Sequence, residues 1–124
     1  MYRIGIKKQF SAAHRLEGHP GRCSRLHGHT WFVEAVFSSP DTGSDGMVVD
    51  FDQAGTALDE AVEPFDHVYL NDIEPFDEMA PTAENVARVV HDRLAERVGS
   101  AGWGAKLEYV TVWESGEAWA SFSD

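Results

Sequence analysis

Between Tyr2 and His14 the chain largely alternates: Tyr2, Ile4, Ile6, Phe10, Ala12 and His14 fall on one parity, and Lys7, Gln9 and Ser11 on the other. A period of two marks a half-buried β-strand, because successive side chains leave a strand on opposite faces. The pattern returns in HGHTWFVEAVF (27–37), where His27, His29, Trp31, Val33, Ala35 and Phe37 share one face. Only the Gly- and charge-rich loop EGHPGRCSR separates the two runs, and strands joined in this way most simply pair antiparallel. Two long neighbouring strands commit the chain to a sheet, and the residues that follow must cover its apolar face.

SSPDTGSDG is a turn-rich connection, and MVVDF leads into a helix with Asp52 as its N-cap. Ala54, Leu58, Ala61 and Val62 form the apolar stripe of that helix up to Glu63; Gly55 weakens its first turn and Pro64 ends it. The polar, Pro-punctuated stretch FDHVYLNDIEPFDEMAP (65–81) reads as loop. A second helix starts at the N-cap Thr82, carries Val86, Val89, Val90, Leu94 and Val98 at helical spacing, and closes at Gly99 and Gly102. LEYVTVWES and EAWASF are β-rich runs with a tight turn at Ser115 and Gly116. The order ββααββ predicts an α+β domain spanning residues 1–124, a four-stranded antiparallel sheet with both helices on one face. Its edges are free, and Phe32 and Val36 lie on the parity opposite Trp31 and Val33. A sheet apolar on both faces is suited to joining its neighbours in a barrel.

The net charge of −11 is unevenly spread. Arg3, Lys7, Lys8, Arg15, Arg22 and Arg25 face only Glu17 within residues 1–33, so this end carries +5 and the remainder −16. Such asymmetry steers a small anion such as a phosphate ester, while the overall acidity argues against a nucleic-acid partner. No apolar run is long enough for a membrane span, and MYRIGIKKQFSA lacks the apolar core of a secretory signal. A single cysteine, Cys23, suits a reducing compartment, so a cytoplasmic location is expected.

Chemistry concentrates near that cysteine. His27 and His29, two apart on a strand, present imidazoles on the same face, and antiparallel pairing brings His14 alongside. Three neutral imidazoles without a fourth protein ligand form an open, catalytic type of metal site, and zinc suits this donor set best. Cys23 has two readings, a fourth ligand or a base beside the metal, with Arg22 and Arg25 favouring its thiolate. Asp66 and His67 are either a carboxylate-oriented proton shuttle or a solvated loop pair. Glu114 shares its face with Glu108, Val110 and Val112 at a strand end, where a carboxylate can accept two N–H bonds from a guanidine-like edge. Thr82 and Glu84 open the second helix; capping explains them first and substrate contact second. His19 and His91 receive no role, and His91 is expected at the helix surface.

FSAAHRL, CSRLHGH, DHVYLN, PTAEN and the Glu of VWES occur in order across nearly the whole chain. Together they resemble the 6-pyruvoyltetrahydropterin and 6-carboxytetrahydropterin synthase family. Phe65, Ser115 and Phe122 stand where that family commonly has Leu, Thr and Tyr, which removes none of the chemical groups named above. The resemblance implies the tunnelling fold, with trimers closing a twelve-stranded barrel and two trimers stacked as a homohexamer with active sites between subunits. It implies Zn2+ on His14, His27 and His29, Cys23 as general base, Asp66 and His67 as its relay, and Glu114 as anchor of the pterin ring. The implied substrate is 7,8-dihydroneopterin triphosphate. The implied products are 6-carboxy-5,6,7,8-tetrahydropterin, acetaldehyde and triphosphate, on the way to queuosine and other 7-deazapurines. The alternatives are a pyruvoyl-forming synthase that retains the side chain and, more remotely, a non-catalytic metal- or pterin-binding oligomer.

Overall fold

The computed structural model describes residues 1–124. Its elements are β1 (Tyr2–His14), β2 (His27–Ser39), α1 (Phe51–Val62), β3 (Val68–Tyr69), α2 (Ala83–Ala101), β4 (Lys106–Trp113) and β5 (Trp119–Phe122). The sheet order is β3-β1-β2-β4-β5. β1 and β2 pair antiparallel along their whole length, from Tyr2 opposite Ser39 to His14 opposite His27. The fold is α+β with the helices on one sheet face, as the alternation implied. The sheet is mixed, however: β3 joins it as a fifth strand, parallel to β1, with Val68 opposite Ala12 and Tyr69 opposite Ala13.

The core lies between the helices and the inner parity of the strands, with Phe10, Trp31, Val33, Phe37, Val110 and Val112 facing Leu58, Val62, Val86, Val90 and Leu94. Trp31 is fully buried, and its indole N–H donates to the Ala12 carbonyl at 3.3 Å, which spares the core an unpaired donor. Phe10 lies parallel to Trp31 with ring centroids 5.8 Å apart. This packed pair sits directly below the end of the hairpin where the three histidines gather. No helix is long and apolar enough to cross a membrane.

Local structure departs from the sequence reading at five points. Asp50, not Asp52, caps α1, accepting from the backbone N–H groups of Asp52 and Gln53 at 2.8 and 3.2 Å. α2 runs through Gly99 and ends at Gly102, whose left-handed φ of 69° terminates it. The β4–β5 connection takes five residues, 114–118, and is closed by the Glu114 N–H donating to the Ala118 carbonyl at 3.1 Å. Residues 65–81 are not simply loop, since they contain β3 and a short 3-10 turn at Leu70–Asp72. His91 is 2% exposed, not a surface residue: β5 lies across α2, and the His91 ring meets Phe122 edge-on at 4.9 Å. Thr82 caps α2 as expected, accepting from the Asn85 N–H at 3.1 Å. Gly55 belongs to the packing of α1 on β1: a Cβ there would lie 3.4 Å from the Lys8 ammonium, which crosses the helix to reach Asp59 at 3.1 Å.

Candidate metal centre

His14 ends β1 and His27 and His29 begin β2. The register that sets His14 opposite His27 and Ala12 opposite His29 puts all three imidazoles at one end of the hairpin. Ring centroids are 4.5 Å apart for His14 and His27, 5.1 Å for His14 and His29, and 4.8 Å for His27 and His29. Glu114 arrives from the far end of β4. One ligand atom from each of these four side chains lies within 4.8 Å of every other. The Cys23 thiol is not part of this group.

Hydrogen bonds fix the ring orientations. His14 Nδ1 lies 2.8 Å from the Pro81 carbonyl and His27 Nδ1 lies 2.7 Å from the Arg25 carbonyl. A carbonyl only accepts, so both rings carry their proton on Nδ1, and Nε2 is left with a free lone pair. Tying the outer nitrogen to a backbone oxygen is how metal-binding imidazoles are usually oriented. Nε2 of His14 and Nε2 of His29 are buried and make no hydrogen bond. Glu114 Oε1 is close, at 3.0 Å from His14 Nε2 and 3.5 Å from His29 Nε2, but it is not aligned to receive an N–H. Buried, unpaired ring nitrogens are costly unless something electropositive faces them, and a cation is what this donor set fits.

Burial is also the main reason that His14 and His29 protonate less readily than an ordinary histidine, opposed at His14 by the Pro81 carbonyl and then the Glu114 carboxylate, and at His29 by Glu114. Neutral imidazoles are what a metal requires. The lowered affinity for protons sets a pH dependence. Below the ordinary value of 6.5 the unfolded chain takes up protons that folded His14 and His29 refuse, so stability falls as pH drops through 6.5 towards their lowered folded values. The metal-free chain is therefore expected to melt at a lower temperature at about pH 5.5 than at about pH 7.5, and His29→Gln should reduce that difference. A wild-type melting temperature unchanged between the two would contradict this.

The second loop is fastened along the end of β1. The Ser11 N–H donates to Asp66 Oδ1 at 2.9 Å, and the His67 N–H donates to the Ser11 carbonyl. Asn71 grips the backbone of Arg15 from both sides, accepting from its N–H at 3.0 Å and donating to its carbonyl at 2.9 Å. The Asp, His and Asn of DHVYLN thus clip the segment beside the site, and β3 lies between the clips. Asp66 Oδ1 also lies 2.9 Å from His67 Nδ1, and the Ser11 N–H is the main reason that Asp66 holds its charge below the usual carboxylate range. His67 adopts a left-handed φ of 58°, uncommon for a residue with a Cβ, and leaves its ring largely exposed. The start of α2 abuts the site through the Pro81 carbonyl, with Thr82 spent on capping and Glu84 exposed in the first turn.

The sequence pattern described as 6-pyruvoyl tetrahydropterin synthase matches residues 3–124. The chain belongs to that family. Within and around this synthase family, a protein of Archaeoglobus fulgidus is 37% identical over 118 residues, covering 94% of this chain and 91% of that one. A 6-carboxy-5,6,7,8-tetrahydropterin synthase of Synechocystis is 42% identical over 102 residues, 77% of either chain. The 6-pyruvoyl tetrahydropterin synthase of Caenorhabditis elegans superposes with a TM-score of 0.87 over 99% of this chain and 95% of that one, at 24% identity, which shows a shared fold.

Cys23 is half-buried on a 3-10 turn (Arg22–Ser24) in the β1–β2 loop. Its carbonyl accepts from the Leu16 N–H at 2.8 Å and closes the loop just beyond His14. Asp66 and His67 bond to each other and to Ser11, and within one chain neither shares a hydrogen bond with Cys23. The sequence reading did not count Glu114 among the metal group. Its signal was the parity it shares with Val110 and Val112: Val112 pairs with Val33, and Glu114, two residues on and just past the end of β4, brings its carboxylate to 3.5 Å from His29 Nε2.

Proposed function

We propose that this chain, a lyase of the pterin synthase family, is zinc-dependent and converts 7,8-dihydroneopterin triphosphate to 6-carboxy-5,6,7,8-tetrahydropterin, acetaldehyde and triphosphate. The product would feed queuosine and other 7-deazapurines. The observation that carries this reading is the convergence of His14, His27 and His29, with two buried, unpaired Nε2 atoms, at a hairpin end whose loop holds the only thiol. The choice of the carboxy branch is supported by the names of the Synechocystis and Bacillus subtilis relatives, the latter 34% identical over 99 residues.

Zinc on the three imidazoles would supply a Lewis acid for the substrate's side-chain hydroxyls. Cys23 takes a proton from the substrate side chain as general base, and Asp66 orients His67 so that its imidazole passes protons on. Glu114 accepts N–H bonds from the pterin ring, with Thr82 and Glu84 at the head of α2 as further substrate contacts. Arg22 and Arg25, exposed beside Cys23, favour the triphosphate. Residues 1–124 form one catalytic domain in this reading, which is cytoplasmic and works as a homohexamer with its sites between subunits, so that Cys23 and the Asp66/His67 pair need not come from one chain. Two features support assembly. The outer edge of β1 from Tyr2 to Phe10 has no strand partner within the chain, and Phe32 and Trp119 are exposed on the sheet face away from the helices.

Mass analysis of the products tests the function directly. Incubation with dihydroneopterin triphosphate should yield acetaldehyde and a carboxypterin in equal amounts. A product that has lost triphosphate but kept its three-carbon side chain would assign the chain to the pyruvoyl-forming branch instead.

A further inference from the structure

The role of Glu114 at the pterin ring does not account for where its carboxylate lies. Ligands about 2.0–2.1 Å from one ion at tetrahedral angles are roughly 3.3–3.4 Å from each other. Glu114 Oε1 stands 3.0 and 3.5 Å from the free Nε2 atoms of His14 and His29, on either side of that spacing. Its failure to align with an N–H direction fits as well, because ligands around a common centre point at the centre and not at one another. Neutral imidazoles bring no charge to a divalent ion, and Glu114 is the one anion in the group. Its backbone is held by the bond to Ala118, while its side chain remains 31% exposed and free to turn away.

We propose that Glu114 is the fourth metal ligand of the substrate-free protein, closing through Oε1 the position that three histidines leave open, and that it is released when substrate arrives. The release rests on the pterin reading above; the ligation does not. Cobalt-substituted protein separates the two. Glu114→Gln and Glu114→Ala should bind Zn2+ at least about tenfold more weakly than wild type in chelator competition, the lower bound of what even outer partners of a ligand contribute. Both should also shift the visible Co2+ band while far-UV circular dichroism stays unchanged. Equal affinity together with an unaltered band would overturn the ligation.

For the release, 7,8-dihydroneopterin triphosphate is added to the cobalt form of Cys23→Ala, and its binding is followed separately by equilibrium dialysis. Binding with a shift of the Co2+ band supports exchange, and binding without one overturns it. A pterin that does not bind overturns the release together with the function on which it rests, and leaves the ligation to stand or fall by the first comparison.

Discussion

Replacing His29 by alanine is expected to leave the chain folded and nearly free of metal. Metal affinity should drop by on the order of a hundredfold or more, since one of three imidazoles is lost outright and losing even an outer partner costs 10- to 100-fold. Turnover of the dihydropterin should fall with it. His29 is the clean choice because its side chain is a quarter exposed, so its removal opens on solvent. His14→Ala would confuse the outcome. That ring is fully buried against Trp31, at 4.9 Å between centroids, and its loss would create a cavity and orphan the Pro81 carbonyl. Metal content of the purified variant and its melting temperature, measured together, decide the matter. Full metal occupancy with unimpaired turnover would show that the imidazole group is not the metal centre.

The features readable in the sequence are those that depend on local period. β1 appears in the alternation from Tyr2 to His14 to the residue, and His27 and His29 fall on the inner parity because strand geometry permits nothing else. The cap of α1 is Asp50 and not Asp52: DFD offers two aspartates, and only the path of the chain entering α1 determines which carboxylate meets the free N–H groups. β3 is two residues long, too short to show any period, and its existence depends on Asp66 and Asn71 clipping a distant strand. The burial of His91 has a sequence signal: Ala87, His91, Leu94 and Val98 follow helical spacing, and a histidine on such a stripe is buried when a strand covers it. Glu114 was legible in parity and illegible in register. Its approach to the histidines requires Val112 to pair with Val33 across more than seventy residues of chain, and no local pattern encodes that pairing.

The same division between local and long-range information bears on Cys23, which the residues alone left as ligand or base. With the fourth place near the imidazoles taken by Glu114 and the thiol outside that group, Cys23→Ala is expected to retain its metal and lose its turnover. If the thiol is the general base proposed above, its removal should lower the rate by about 10²–10⁴-fold. The loop should survive the change, since Cys23 contributes to it through a backbone carbonyl accepting from Leu16, and the neighbouring turn is held by Ser24 Oγ donating to the Gly21 carbonyl. A fall in turnover therefore reports on the thiol and not on the scaffold. Zinc content and turnover measured on one preparation separate the readings. Metal lost along with activity makes the thiol a ligand, and activity preserved removes it from the chemistry. Cys23→Ser sharpens the comparison: a hydroxyl keeps the size and hydrogen-bonding of the side chain but does not ionise near neutral pH, so a variant as slow as alanine identifies the thiolate as the group that matters.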